Sequence, residues 1–211
     1  LIKPTDINSQ FSDYGPYYYA NKVYFTSAID TAAVRKKTHE WTGQNFTDIY
    51  VANVNKDTTL SYSGNFSKKV NTKFNESSPI FTKDGQTMYF TRNNFLNGKK
   101  GKSDDKSTFV KIYKATLVNG EWDNITELPF NNNESSFAHP ALSLDEKTMY
   151  FASDMAGTTG YSDIYKVKRN SDGSFGNPEN LGPEINTTGR ESFPSVDKDG
   201  NLYFASDGHL G

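Results

Sequence analysis

A Tyr-Phe pair recurs four times along this chain of 211 residues, at steps of 65, 61 and 53 residues. A proline precedes each pair by eight to ten residues. The pairs lie at 24–25, 89–90, 150–151 and 203–204, after Pro16, Pro79, Pro140 and Pro194. Self-similarity of this kind indicates a repeat architecture in which each repeat is one supersecondary unit. The chain is therefore predicted to be a series of related modules.

The segment from each proline to its Tyr-Phe pair predicts a β-hairpin. A proline is tolerated at the first position of a strand, where its missing N–H costs little. Asp84-Gly85 and Asp199-Gly200 then supply the positive-φ positions of a tight turn, and the Tyr-Phe strand returns antiparallel. Asn21-Lys22 and Asp145-Glu146 take the same place in the other two copies.

Two more strands are predicted to complete each copy. Third strands are expected at 48–51, 111–114 and 163–167, and weaker fourth strands near 125–128 and 179–181. Aromatic residues make up 14% of the chain, and they can build a core between such strands even though only 34% of the residues are hydrophobic. Four short strands per repeat match one blade of a propeller.

The fold class is thus predicted to be all-β, a β-propeller of four-stranded antiparallel blades. The whole chain, 1–211, is expected to be one partial propeller with about three and a half blades. The blades are predicted at 13–70, 76–130, 137–185 and 191–211, the last one incomplete. Because a propeller closes on itself to hide its edges, we expect further blades or another segment to complete the ring.

A connector of ten residues with its own signature links the repeats. It begins with an apolar residue, then Asn, then Ser or Thr. An acid follows, and the repeat proline comes last, as in 7–16, 70–79 and 185–194. The third connector, 131–140, keeps the length and has an Asn at 132, but Phe137 replaces the acid.

Two polar insertions, 28–47 and 93–108, both fall between the second and third strands. We expect them on one face, as solvated loops.

The hairpin pattern Pro-x-x-x-x-Asp-Gly-x-x-x-Tyr-Phe-x-Ser, followed by Asp-Ile-Tyr, resembles the WD-like propeller repeat of TolB and its relatives. More specific stretches are similar to the periplasmic propeller of Bacteroidetes OmpA-family proteins of the PorE and SprE kind. These stretches are 81–94, 127–130, 139–143, 180–186 and 191–208. The resemblance covers nearly the whole chain.

This resemblance implies a role in the bacterial envelope. It implies a periplasmic segment of a longer lipoprotein, associated with the outer membrane and with type IX secretion or gliding machinery. The implied partners are other envelope proteins, including a PorP/SprF-type outer-membrane barrel. Peptidoglycan would be bound only through an OmpA-type domain that this chain does not contain. Two alternatives stay open: a peptide- or glycan-binding module, and the propeller of a multidomain peptidase.

The sequence offers no constellation for catalysis. Nucleophilic catalysis needs a Ser, a His and an acid within hydrogen-bond reach, and the chain has only three histidines, His39, His139 and His209. The segment 160–163 lacks the closing glycine of a nucleophile elbow, and no phosphate loop or helical His pair occurs. The calcium-loop-like fragments 171–174 and 197–201 are explained by turns. We expect no enzyme activity and no catalytic, cofactor-binding or metal-binding residue.

Charge and composition exclude further classes. The net charge is −2 without a basic face of the size that nucleic acid needs. No stretch of eighteen apolar residues could form a membrane-spanning helix. The absence of Cys excludes a disulfide scaffold and a thiolate metal site.

The acids of the connectors are the candidate site residues. Asp13, Glu76 and Glu191 stand three residues before the repeat proline. Because an inner strand starts near the central channel, we expect these acids at one channel mouth. Their expected neighbours there are Ser77, Arg190 and Ser192, with His139 facing the channel. One hypothesis is that the acids accept bonds from backbone N–H groups and lock neighbouring blades, and the other is that they form a rim that binds a partner.

Two threonines are candidates for modification. Asp30-Thr31-Ala32 and Asp57-Thr58-Thr59 resemble the short pattern of Bacteroidetes periplasmic O-glycosylation sites. The resemblance implies a sugar on Thr31 and on Thr58.

Overall fold

A computed structural model describes residues 4–29, 38–39 and 42–210. Strands and turns make up this part of the chain, and no helix occurs in it. None of the described residues forms a helix long and apolar enough to cross a membrane. Three four-stranded antiparallel sheets and a two-stranded sheet follow one another in chain order, and a second, smaller two-stranded sheet is inserted within the second of them.

The first sheet contains β1 Asp13–Tyr19, β2 Lys22–Ser27, β3 Asp48–Val54 and β4 Leu60–Asn65. The second contains β5 Glu76–Phe81, β6 Thr87–Asn93, β9 Val110–Val118 and β10 Glu121–Glu127. A small hairpin lies between β6 and β9, formed by β7 Phe95–Leu96 and β8 Lys99–Lys100. The third sheet contains β11 Phe137–Leu142, β12 Thr148–Ser153, β13 Asp163–Lys168 and β14 Glu179–Asn180. The two-stranded sheet pairs β15 Glu191–Val196 with β16 Leu202–Ser206.

The sheets are arranged as the blades of a propeller. Their first strands, β1, β5, β11 and β15, contact each other in sequence. Successive sheets therefore stand side by side around these inner strands and bury their faces against each other. The architecture is all-β with four-stranded antiparallel blades, as the repeat predicts, and the fourth sheet contributes two strands.

The Tyr-Phe pair packs a blade against both of its neighbours. Adjacent residues of a strand point to opposite faces of the sheet. Tyr89 lies in the core with the third sheet, where its ring meets Phe175 edge to face at 6.0 Å. Phe90 lies in the other core, with Ile49 of the first sheet. The recurring pair thus supplies one ring to each of two interfaces, which explains why so aromatic a chain needs few aliphatic residues.

The repeat prolines do not stand at the first strand position, so that prediction is wrong. Each lies inside its inner strand, within a break in the pairing register. The residue before each proline has positive φ: 60° at Gly15, 49° at Ser78, 55° at His139 and 50° at Phe193. A β-bulge interrupts the ladder locally, so a proline at this point removes no ladder hydrogen bond.

The hairpin turns also differ in detail from the prediction. Gly85 and Gly200 have positive φ, but Asp84 and Asp199 do not. The Asp84 carboxylate instead accepts the Thr82 hydroxyl and the Gln86 N–H within a five-residue loop. In the first hairpin the positive-φ residues are Ala20 and Asn21, so the turn is one residue earlier than the sequence predicted.

An asparagine of each connector closes the preceding blade. Asn71 and Asn186 each exchange two hydrogen bonds with the backbone of a third-strand isoleucine, Ile49 and Ile164. In the third connector Asn131 makes the same pair of bonds to Ile112. The spacing had indicated Asn132, which is exposed and does not reach that strand.

Candidate functional site

The inner strands enclose a cavity of about 530 Å³. The four bulges line it, because Gly15, Ser78, His139 and Phe193 all contribute to its wall together with the prolines that follow them. The rest of the wall is mostly apolar, formed by residues such as Tyr17, Tyr18, Ile80, Leu142 and Val196. Among the described residues, no Asp, Glu, Lys or Arg lines it. The cavity therefore occupies the central channel of the propeller and is uncharged.

Two bulges are attached to the preceding blade by a hydrogen bond from their backbone N–H to a threonine hydroxyl. The N–H of Ser78 donates to the Thr26 hydroxyl at 3.2 Å. The N–H of His139 donates to the Thr91 hydroxyl at 2.9 Å. Both threonines directly follow the Tyr-Phe pair of the preceding blade, and both are buried. This contact holds a sparsely populated backbone conformation that would otherwise cost about 1–3 kcal/mol per residue.

At the interface between the third and fourth blades no threonine is present at this position, and His139 provides the hydrogen-bond acceptor. Ala152 stands at the equivalent position and offers no hydroxyl. The N–H of Phe193 donates instead to Nδ1 of His139 at 3.3 Å. The imidazole also stacks on the Phe193 ring, with the centroids 3.7 Å apart and the planes 16° from parallel. Since Nδ1 accepts this bond, the proton of the neutral ring lies on Nε2. Burial lowers the pKa of His139 to about 4, which keeps the ring neutral at neutral pH.

An aromatic row crosses the cavity. Tyr14 of the first blade meets the Phe193 ring edge to face, with the centroids 5.9 Å apart. Burial is the main cause that raises the pKa of the Tyr14 phenol, so Tyr14 stays uncharged. Tyr14, Phe193 and His139 thus connect the first, fourth and third blades through ring contacts.

Ser78 contributes to the cavity wall, but its hydroxyl oxygen is itself buried. The residue is 8% exposed, and its Oγ has no hydrogen-bond partner among the described residues. A Cβ at Gly15 would lie 3.2 Å from this oxygen, so a larger residue at position 15 would crowd it. A buried hydroxyl without a partner carries a desolvation cost of about 1–3 kcal/mol.

The connector acids do not line the cavity. Glu76 and Glu191 are both 0% exposed. Each accepts the N–H and the hydroxyl of a connector threonine, Thr72 or Thr187, at 2.6–2.9 Å. Asp13 accepts the same two donors from Ser9. Each acid thus accepts a backbone N–H, as the locking hypothesis expects, but the bonded residue belongs to the connector four positions earlier and not to a neighbouring blade.

The two buried glutamates differ in their cross-strand partner. Arg92 lies opposite Glu76, with Nε 3.2 Å from the carboxylate, and is 3% exposed. Ser206 lies opposite Glu191 and donates its hydroxyl at 2.6 Å. Burial raises the pKa of Glu76 to about 8, and the Arg92 charge and the Thr72 bonds oppose the rise.

The other predicted rim residues lie apart from the cavity wall. Ser77 is buried, and Ser192 is partly buried. The Arg190 guanidinium is paired with Asp207 at 3.2 Å and lies 4.5 Å from the Tyr161 ring. Tyr161 is 68% exposed. His139 is the one rim candidate that the structure brings into the cavity wall.

The sequence reasoning missed Tyr14, Ser78 and Phe193. The position before each repeat proline was the available signal, because it holds Gly, Ser, His and Phe in four otherwise similar strands. Such variation at a fixed repeat position indicates a surface that differs between blades.

The modification candidates are placed only in part. Thr58 is exposed in a turn with φ of 66°. Thr31 lies outside the described residues. Within the described ranges, no group of three or more His, Asp or Glu side chains could hold a metal ion.

No protein-family model and no curated protein matches the chain. Solved structures do. TolB from Acinetobacter baumannii is 18% identical with a TM-score of 0.51, over 94% of this chain and 38% of that one. An α-L-arabinofuranosidase from Lactobacillus brevis is 13% identical with a TM-score of 0.56, over 93% and 66%. A puromycin hydrolase is 12% identical with a TM-score of 0.52, over 94% and 36%.

These structures share the fold of the chain. The chain has a TolB-like propeller fold, and it spans between about a third and two thirds of the length of these proteins. Two of the three are named as hydrolases, so the same sheet arrangement occurs in proteins with different functions. Function has to be argued from the site.

Proposed function

We propose that this chain is a non-catalytic interaction propeller of the bacterial envelope, which binds a segment of a partner protein in its central channel. The mainly apolar cavity formed by the four bulges supports this most directly. A concave, mainly apolar site with a few polar groups is the usual form of a binding site.

The polar groups of the cavity are suited to binding rather than to acid–base chemistry. A general base needs a free lone pair and a pKa near the working pH. Nδ1 of His139 already accepts the Phe193 N–H, and burial lowers the pKa of this ring to about 4. In the part of the chain that the structure describes, no carboxylate or lysine lines the wall to act as its partner. These features favour a binding role.

The chemistry of the wall indicates an extended, uncharged segment of the partner. The proline and tyrosine side chains of the wall accept apolar groups. A charged side chain would be buried here without a counter-ion, at a cost of several kcal/mol.

The envelope setting of the proposal is based on sequence resemblance. It comprises a periplasmic location, association with the outer membrane as part of a longer lipoprotein, and a scaffold role in type IX secretion or gliding. The candidate partner is a PorP/SprF-type barrel or another envelope component. The TolB-like fold is compatible with this setting.

Two truncations of the cavity wall test the channel. We expect Tyr18→Ala and Phe193→Ala, both exposed residues of the wall, to reduce recovery of the partner when the protein is purified from native membranes. Leu144→Ala is the matched control, because Leu144 is similarly exposed at 42% but lies outside the cavity wall. If both channel variants recover the partner as well as the control does, the channel is not the binding site. Melting temperatures of all three variants separate binding from stability.

The propeller of a larger hydrolase is the second candidate. The likeness to a puromycin hydrolase, of which the chain spans 36%, favours it. The protein from its native source, assayed on chromogenic peptide substrates, decides between the two. Turnover that a serine-directed inhibitor abolishes would support the hydrolase, and its absence would support the scaffold.

A further inference from the structure

The β7–β8 hairpin carries a cluster of lysines away from the channel. Its tip, Asn97 and Gly98, has φ of 51° and 77°, which matches the two-residue turn preferred in tight hairpins. Lys99 and Lys100 follow the tip and are exposed, and Lys102 comes next. Lys100 lies directly opposite Phe95 in the pairing register. A short ribbon therefore presents ammonium groups beside an aromatic ring.

The connector before β5 adds a lysine and a phenylalanine to this ribbon. The Phe74 ring packs edge to face on Phe95 with the centroids 5.0 Å apart. Nζ of Lys73 lies 5.5 Å from the Phe74 centroid and 5.6 Å from that of Phe95. Nζ of Lys100 lies 5.4 Å from the Phe74 centroid. Two ammonium groups therefore share one ring.

These charges lack counter-ions. Like charges closer than the Debye length of about 8–10 Å repel each other, and the attraction of a cation to an exposed ring is weak. Within the described part of the chain, Lys73, Lys99, Lys100 and Lys102 form no ion pair with a carboxylate. Lys69, Lys111 and Lys166 do form such pairs, so the chain provides counter-ions elsewhere.

The nearby acids are engaged with their own loop. The Asp105 carboxylate accepts the Ser103 hydroxyl and the Ser107 N–H. Glu134 accepts the Asp104 N–H at 3.3 Å. Neither of these two carboxylates forms an ion pair with the four lysines.

We propose that Lys73, Lys99, Lys100 and Lys102, with the edges of Phe74 and Phe95 between them, bind an acidic segment of a partner protein. Its carboxylates would pair with the ammonium groups, and an apolar side chain between two carboxylates would contact the rings. Lysines act as flexible point charges, which suits carboxylates spread along a peptide. None of these residues lines the channel cavity, so this is a second surface.

The covered rings favour a peptide over a sugar or a nucleic-acid base. Stacking of a base or a pyranose needs a free aromatic face. Lys73 and Lys100 already lie close to Phe74, and Phe95 meets it from the side. Four lysines are also few for the phosphate contacts of a nucleic acid.

Fluorescence anisotropy with a labelled ten-residue peptide of alternating Glu and Leu tests the proposal. We expect binding at low salt that weakens as salt is added, because the attraction is between exposed charges. The double variant Lys73→Glu with Lys100→Glu removes two attractions and adds two repulsions. At about 1.4- to 5-fold for each exposed pair, the affinity falls at least about fourfold. Lys22→Glu with Lys56→Glu is the matched control, with two exposed lysines outside the cluster and an equal change in net charge. We expect its affinity to stay within twofold of the wild type.

Several results would overturn the proposal. One is that the Glu-Leu peptide does not bind. Another is that the control variant loses as much affinity as the double variant does. A third is that a peptide of alternating Gln and Leu binds as tightly as the Glu-Leu peptide. Displacement of the peptide by a sulfated glycan or by anionic vesicles at a lower charge concentration would assign the surface to that ligand instead. The double variant Lys73→Gln with Lys100→Gln, with its melting temperature, covers the case in which charge reversal impairs folding. The peptide assay does not involve the channel. The lysine surface can therefore fail to bind the peptide while the channel binds its partner, and the channel can fail while the lysine surface binds the peptide.

Discussion

The choice between two adjacent asparagines provides the sharpest test of the repeat geometry. By spacing, Asn132 of the third connector corresponds to Asn71 and Asn186, but the structure assigns the clamp on the second blade to Asn131. Asn131 donates to the Ile112 carbonyl at 2.8 Å and accepts its N–H at 3.3 Å. We expect Asn131→Ala to destabilise the protein strongly and Asn132→Ala to have little effect.

The magnitude follows from the bonds at Ile112, which is 0% exposed. Its carbonyl keeps a second bond, from the Leu128 N–H at 3.1 Å, but its N–H loses the one partner it has. A buried N–H without a partner costs about 1–3 kcal/mol, and one lost hydrogen bond costs about 0.5–1.5 kcal/mol more. We therefore expect a loss of about 2–4 kcal/mol in the free energy of unfolding. Asn132 is exposed and accepts only the Glu134 N–H, so its change should cost less than about 1 kcal/mol.

Urea unfolding measures both values. Trp122 packs against Phe66 and Phe81 between the first two blades, so its fluorescence reports on the second blade. With a urea dependence of about 2–3 kcal/mol per molar, Asn131→Ala should lower the unfolding midpoint by roughly 1 M. If Asn132→Ala lowers it as much as Asn131→Ala does, the clamp is not in the register described, and the repeat spacing was the better guide.

Three other predictions concern the buried ionisable groups. Because burial raises the pKa of Glu76 to about 8, its carboxyl is neutral at pH 7, and Glu76→Gln should cost less than about 2 kcal/mol there; a loss of about 3–5 kcal/mol in urea unfolding would contradict this and identify the carboxylate as an ionised partner of Arg92. Burial raises the pKa of Glu76 from 4.5 to about 8, so its contribution to stability is full below pH 4.5 and is lost as the pH rises through 8. Glu76→Gln should remove this pH dependence from the free energy of unfolding measured between pH 4.5 and 8.5. An unchanged pH dependence would assign it to another group. Burial lowers the pKa of His139 from 6.5 to about 4, so its contribution is full above pH 6.5 and is lost as the pH falls through 4. His139→Asn should remove this loss of stability at low pH, and Asn tolerates the positive φ of the position. The variant should also be less stable at neutral pH, because the Phe193 N–H loses its acceptor. Adding Ala152→Thr should restore part of that stability, because the new hydroxyl can accept the Phe193 N–H. A double-mutant cycle that finds the two changes additive would exclude this compensation.

The strand plan could be predicted from the sequence, because the signals behind it are local. A proline and a turn residue at fixed offsets and a recurring Tyr-Phe pair each act over a few residues. The Tyr-Phe pair recurs in all four copies, while the Asp-Gly turn occurs in two. Two of the three four-stranded sheets follow from those signals, whereas β4 of the first sheet and the β7–β8 hairpin were not predicted.

The candidate site was predicted less well, since burial depends on neighbouring blades. Glu76 and Glu191 share a spacing with Asp13, and the sequence could not tell whether these acids face the channel or the connector. The donors that decide it are the N–H and hydroxyl of Thr72 and Thr187, four residues earlier. Only His139 of the predicted rim lines the cavity.

The backbone before each repeat proline separates what the sequence determines from what the tertiary structure determines. The sequence alone determined that a proline and a Tyr-Phe pair recur, and hence that related hairpins stack into a propeller. Only the tertiary structure decided that the residue before the proline adopts a positive φ and lines the channel. That conformation is held by a donor–acceptor pair between two blades, Ser78 with Thr26 or Phe193 with His139. Such a pair joins residues about 50 positions apart or more, and no local pattern specifies it.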